Sequence, residues 1–176
     1  MVILLHNIRS MHNVGSIFRT ADAADCEKIY LCGITPAPID KYGRPRQQIS
    51  KTALGAEKYV PWEAVKSTIR LIDKLKKDGY LILAVEQSKN SIPYYEFNLP
   101  SIPSFPRRGR RGGSIALVLG NEIKGLPRSV LYRADKILEI PMRGKKESLN
   151  VAVAFGIVVF HLQKPQKTIK KGAKPL

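Results

Sequence analysis

Cysteine is scarce in this chain. Cys26 and Cys32 are the only two, too few for a disulfide framework and without zinc-ligand spacing. Both thiols are expected to be reduced and structural, as in a cytoplasmic protein. No apolar run approaches the roughly 20 residues that a membrane span needs, so no membrane partner is expected. The opening residues, MVILLHNIRS, have no basic n-region and no cleavage site, and do not read as a signal peptide. No internal repeat and no linker divides the chain. Its 176 residues fit one domain with a real core. Both phosphate-loop patterns are missing: Gly120 and Gly125 have the wrong spacing for G-x-G-x-x-G, and no P-loop lysine-serine pair follows. That counts against a dehydrogenase or an NTPase. No cluster of metal-ligand residues is legible, and no metal is expected.

Acidic residues are few as well. Fourteen Asp and Glu stand against 30 Lys and Arg, a formal net charge of +16. An excess of that size calls for a polyanionic partner, and nucleic acid is the usual one. Arg107, Arg108, Arg110 and Arg111 form one cluster, and the tail after Gln163 carries another. A solubilising tail alone would leave the other loops neutral. Instead Lys41, Arg44 and Arg46 surround one connection, Arg143, Lys145 and Lys146 another, and Arg9 sits in the first. Basic residues spread over several loops predict a phosphate-binding face.

The apolar pattern predicts an α/β fold of about six mostly parallel strands with helices on both faces. Strands are expected at Val2–Leu5, Lys28–Leu31, near Lys58–Val60, at Tyr80–Val85, Ser114–Leu119 and Lys136–Ile140. Ser114–Leu119 is apolar throughout, like a strand buried on both faces. Helices are expected from Val14 to about Ala24, capped by Asn13, over Trp62–Lys77, over Leu126–Tyr132, and after Ser148 as N-cap. Residues 1–163 read as one domain, and 164–176 as a basic tail expected to be disordered.

Three stretches carry candidate chemistry. The first is Asn13-Val14-Gly15-Ser16-Ile17-Phe18-Arg19-Thr20, where Gly15 permits close approach of backbone or ligand. The second is the buried strand running into Gly120-Asn121-Glu122-Ile123-Lys124-Gly125, at the place where ligands dock in open α/β sheets. The third is Ile140-Pro141-Met142-Arg143-Gly144, followed by Ser148-Leu149-Asn150-Val151. Singly, each could be a helix cap, an ordinary turn or a surface loop.

Together and in this order, the three resemble the motifs of the SpoU family of RNA ribose 2′-O-methyltransferases, in the SPOUT superfamily. That family carries N-x-G-x-x-x-R-T, an apolar strand with G-x-E-x-x-G, and I-P-M-x-G with S-L-N-V. Thr52–Glu57 and Ala84–Ser88 also look like family segments. The resemblance implies a C-terminal trefoil knot, S-adenosyl-L-methionine as cofactor, tRNA or rRNA as partner, and a homodimer. It implies Arg19 as the catalytic residue, as general base or as phosphate positioner. Asn13 would orient Arg19 or the ribose, Glu122 would hold Arg19 or a substrate hydroxyl, and Ser148 and Asn150 would complete the polar wall. Leu119, Gly120, Ile140, Met142 and Leu149 match the cofactor slot, and the basic loops would engage RNA. The alternative is a non-catalytic RNA-binding protein of the same fold.

Overall fold

Among the described residues, seven strands form one sheet in the order β3-β2-β1-β6-β4-β7-β5, one strand more than expected. Every pairing is parallel. The computed structural model describes residues 1–98 and 114–163. In chain order the elements are β1 (Val2–His6), α1 (Met11–Ala23), β2 (Lys28–Cys32), α2 (Gln47–Ala53), α3 (Ala56–Tyr59), β3 (Trp62–Val65) and α4 (Thr68–Lys77). They continue with β4 (Leu81–Val85), β5 (Ile92–Pro93), a 3-10 turn at Tyr94–Glu96, β6 (Ile115–Leu119), α5 (Arg128–Leu131), β7 (Lys136–Glu139) and α6 (Val151–Leu162). The arginine cluster Arg107, Arg108, Arg110 and Arg111 and the tail 164–176 lie outside the described residues.

The central strands are apolar throughout because both sheet faces are covered. In β1, Ile3 and Leu5 join the core under α1 and α6, while Val2 and Leu4 join the core under α4. β6 alternates in the same way, with Leu117 and Leu119 on the first face and Ala116 and Val118 on the second. Parallel strands with such two-faced burial leave no polar alternation to read. The chain lays β1, β2 and β3 outward to one edge, then crosses back to β4, and β6 later fills the gap between β1 and β4. Neighbouring connections therefore diverge around β1, β6 and β4, which opens a crevice at the strands' C-terminal ends.

Four sequence expectations are corrected. Trp62–Lys77 is not one helix: Trp62–Val65 pairs with β2 in register Ile29↔Trp62, and Ser67 caps α4 by accepting from the Arg70 N–H at 3.3 Å. Trp62 and Val65 fit a helical stripe, and four residues are too short to display alternation. The strand expected near Lys58–Val60 is instead α3, set off from α2 by left-handed Leu54 and Gly55. α1 begins earlier than expected, with Ser10 as its N-cap, which frees the Asn13 side chain. The cap of α6 is Asn150, whose Oδ1 accepts from the Ala152 N–H at 2.8 Å, and Ser148 lies before it.

Gly15 is where α1 meets α2. A Cβ there would lie 2.0 Å from Thr52 Oγ1 and 2.4 Å from the Ile49 carbonyl oxygen. The close approach left open between backbone and ligand is thus to the backbone of α2.

Candidate active site

Because all seven strands run the same way, the connections after β1, β2, β4, β6 and β7 gather at one end of the sheet. A cavity of about 210 Å³ opens there, between the ends of β4, β6 and β7. Val85, Leu119, Ile140, Met142, Leu149, Val151 and Ala154 supply its apolar wall. Its polar lining includes three carboxylates, Glu86, Glu122 and Glu139, and no lysine or arginine among the described residues. Three carboxylates beside an apolar wall suit a ligand with an apolar ring and a cationic end.

A hydrogen-bonded chain crosses the rim and joins all three motifs. Asn150 Nδ2 donates to Asn13 Oδ1 at 3.0 Å, and Asn13 Nδ2 donates to Glu122 Oε1 at 3.0 Å. The Glu122 carboxylate also accepts the backbone N–H groups of Arg9 and Ser10, both at 3.1 Å. Burial works against its charge. The N–H groups of Arg9, of Glu122 itself and of Ser10, with the Asn13 amide, outweigh that and hold its pKa below the ordinary carboxylate value. The loop after β6 is thereby fastened to the start of α1.

Two further carboxylates and a small amide network set the loops. Glu86, at the end of β4, accepts the Leu126 N–H at 2.7 Å and the Gln87 N–H at 3.0 Å. Gly125, at φ +62°, leaves the room for this, since a Cβ there would meet Glu86 Oε2 at 2.3 Å. Glu139, at the end of β7, accepts the Ser91 hydroxyl at 2.7 Å. Asn121 donates to the Asn7 carbonyl at 2.7 Å, and its own oxygen accepts the N–H groups of Ile123 and Lys124. Asn7 in turn lies 3.0 Å from His6 Nε2, and His6 Nδ1 lies 2.7 Å from the Thr68 hydroxyl. Burial lowers the His6 pKa, so the neutral ring is favoured there.

Of the residues singled out from sequence, Leu119, Gly120, Ile140, Met142 and Leu149 all line the cavity, as do Glu122 and Ser148. Asn13 and Asn150 complete the rim chain. Arg19 is not drawn in: it is exposed on α1, beyond the cavity lining. Arg9, Lys41, Arg44, Arg143, Lys145 and Lys146 are exposed, and Arg46 is half-buried. Arg44 is paired with Asp40 at 3.0 Å. Asn121 and Glu86 lie in quoted stretches without an assigned role, and Glu139 and Asn7 are not candidates from sequence. For Glu86 and Glu139 the available signal was a carboxylate at the C-terminal end of a parallel strand. Among the described residues, no group of three or more His, Cys, Asp or Glu is placed to hold a metal ion.

The profile of the SpoU rRNA Methylase family matches residues 1–160. The chain is 32% identical over 170 residues to a protein of Neisseria meningitidis serogroup B named 23S rRNA (guanosine-2'-O-)-methyltransferase RlmB, covering 97% of this chain and 60% of that relative. A protein of the same name from Coxiella burnetii is 30% identical over 167 residues, covering 95% and 59%. The chain thus spans about 60% of the length of these curated relatives. Among solved structures, an AdoMet-bound rRNA methyltransferase from Sinorhizobium meliloti superimposes with a TM-score of 0.75 at 26% identity, covering 92% of this chain and 55% of that one. The A. aeolicus TrmH/SpoU tRNA modifying enzyme gives 0.72 at 28% identity, covering 92% and 73%.

Proposed function

The chain belongs to the SpoU rRNA Methylase family, and from that premise we propose that it is an S-adenosylmethionine-dependent methyltransferase acting on a ribose 2′-hydroxyl of ribosomal or transfer RNA. The observation that carries this reading is the rim chain Asn150–Asn13–Glu122, which unites residues of three separated motifs beside a cavity with an apolar wall and three carboxylates. The cavity's chemistry fits the cofactor. Leu119, Ile140, Met142 and Leu149 would hold the purine, and the carboxylates Glu86, Glu122 and Glu139 favour a sulfonium and an ammonium over a pyrophosphate. When bound, the cofactor supplies an electrophilic methyl group.

The protein's own part is placement and proton handling. Asn13 and Asn150 hold their amides in one fixed chain, so the free edges of both can orient ribose hydroxyls. Glu122, held ionised, offers an acceptor for a hydroxyl or for the Arg19 guanidinium. Ser148 adds a hydroxyl to the cavity wall. Arg19 is assigned to the reacting ribose, either taking the hydroxyl proton or holding the adjacent phosphate. A guanidinium holds its proton far above neutral pH in water, so the first role needs an anionic neighbour.

We further infer a homodimer. α6 is apolar on all sides, and Val153 and Phe160 remain 52% and 49% exposed, with Gly156 and half-buried Ile157 between them. That stripe continues beside α1, which carries Arg19 and packs against α6 at Thr20 and Gly156. A C-terminal trefoil knot is part of the same proposal, supported by family membership. So is a cytoplasmic setting, supported by two free, buried cysteines.

Calorimetric titration with S-adenosylmethionine, followed by transfer of a labelled methyl group to ribosomal and transfer RNA, tests the proposal. Cofactor binding with label on ribose is expected. RNA binding without cofactor binding would instead establish the non-catalytic alternative.

A further inference from the structure

The connection from β2 to α2 holds a feature that the cavity does not use. Ile34, Ile39 and Tyr42 are 68%, 44% and 68% exposed within it. Tyr42 stands at the tip of a turn, with Lys41 Nζ 4.8 Å and Arg44 Cζ 4.9 Å from its ring centroid. The turn is preformed. Asp40 Oδ1 accepts the N–H groups of Tyr42 and Arg44 at 2.8 and 2.9 Å, and its Oδ2 accepts Arg44 Nε at 3.0 Å. The backbone closes it with Asp40 N–H to Arg44 carbonyl at 2.9 Å and Arg46 N–H to Pro38 carbonyl at 2.8 Å.

This turn is also fixed relative to the active site. It leaves the C-terminal end of β2, which is the parallel neighbour of β1. At its base the buried Thr35 hydroxyl lies 2.7 Å from the Leu5 carbonyl and accepts the Ile8 N–H at 3.0 Å. Asn7 Oδ1 accepts the Ile34 N–H at 3.1 Å. At its far end Thr52 of α2 donates to the His12 carbonyl at 3.1 Å, one residue before Asn13. The end of β1 and the connection after it, which supplies Arg9 and Ser10 to Glu122, therefore anchor the base, and the first turn of α1 anchors the far end.

We propose that the Asp40–Arg46 turn is a base-stacking finger: Tyr42 takes the face of an unpaired nucleobase close to the methylated nucleotide, and Lys41 and Arg44 take the flanking phosphates. The proposal rests on the RNA methyltransferase reading above. An exposed aromatic ring with two cations over it matches a base and its phosphates: every base offers an apolar π-face to the ring, and every linkage a negative charge to which the cations swing when the base takes their place. Lys41, Arg44 and Arg46 outnumber the one carboxylate of the turn, Asp40, which pairs with Arg44, so net positive charge is left for the RNA backbone. In duplex RNA the bases are stacked and their faces closed, so the finger selects splayed or looped strands. It thus supplies a preference for RNA conformation that the cationic loops alone lack.

Fluorescence anisotropy of the full chain with a labelled single-stranded oligoadenylate and with a blunt RNA duplex tests this. Tyr42→Ala is expected to weaken single-strand binding about 5- to 150-fold while duplex binding stays unchanged. Tyr42→Phe is expected to bind the single strand like wild type, since stacking does not use the hydroxyl. Lys41→Ala is expected to lower the slope of log affinity against log salt by about 0.7 on the single strand. Single-strand affinity unchanged in Tyr42→Ala, equal loss on the duplex, or a Tyr42→Phe defect as large as that of alanine would overturn the finger. If wild type binds S-adenosylmethionine and methylates RNA in that case, the enzyme reading stands and only the finger falls. If wild type binds neither RNA nor cofactor, both fall.

Discussion

Replacing Gly15 with alanine sets two physical effects against each other. In an isolated helix the change is favourable by about 1 kcal/mol, because alanine is the better helix former. Here the added methyl would sit 2.0 Å from Thr52 Oγ1, 2.4 Å from the Ile49 carbonyl oxygen and 3.1 Å from the Ala53 nitrogen. The hydroxyl could rotate away, but the other two contacts are backbone and have no rotamer to change. α1 and α2 must part by roughly 1 Å, at the upper end of the usual overpacking cost, about 3 kcal/mol. The net loss is therefore about 2 kcal/mol, or a fall in Tm of roughly 4–8 °C for a chain of this size. Urea denaturation with a calorimetric Tm reads it directly. Adding Thr52→Ala should recover only part, since the Ile49 carbonyl remains. The shift would also move Asn13 off the Asn150–Glu122 line, so methyl transfer should fall more than cofactor affinity does. A Gly15→Ala chain as stable as wild type, or more stable, would refute the close-packing account and leave helix propensity in charge.

Four other outcomes are expected. Glu122→Gln replaces one acceptor oxygen by a donor where two backbone N–H groups converge, at a cost of about 1–3 kcal/mol in a thermal melt. Because the Glu122 pKa is depressed in the folded state, its contribution is present above the unfolded carboxylate pKa and is lost as pH falls through the folded value, so the wild-type advantage over the variant should shrink on acidification. His6 is depressed below 6.5 by burial: above that pH both states are neutral, and below it the unfolded chain takes up a proton that the folded one resists. Stability should therefore decline as pH falls below 6.5, and denaturation of His6→Asn across the same range should be flatter. Finally, Arg19→Ala is expected to abolish transfer in a single-turnover assay while leaving cofactor affinity near wild type, and Val153→Asp with Phe160→Asp is expected to give a monomer in sedimentation.

Much of this molecule is legible from composition and local order. The aliphatic continuity of Ser114–Leu119 and Tyr80–Val85 announces strands buried on both faces, and Leu119 and Gly120 of the proposed cofactor slot stand at the end of one of them. Motif order brought Asn13, Glu122 and Asn150 into consideration, although Asn13 lies more than a hundred residues from the other two. Local pattern fails where two structures share one pattern: Trp62 and Val65 suit a helical stripe as well as an edge strand, and only pairing with Ile29 decides. It fails again where two good caps are two residues apart, because the choice of Asn150 over Ser148 depends on which backbone N–H groups are left free when α6 packs on α1.

The sequence by itself determined that this is a basic parallel α/β domain carrying the three SpoU motifs, because hydrophobic continuity, charge and short-range order are properties of the chain. The tertiary structure alone decided that Gly15 serves the α1–α2 contact, that Glu86 braces the Gly125 turn, and that Glu86, Glu122 and Glu139 come together in the wall of one cavity. Each of these depends on which distant atoms come within 3 Å of one another, and no local pattern encodes that.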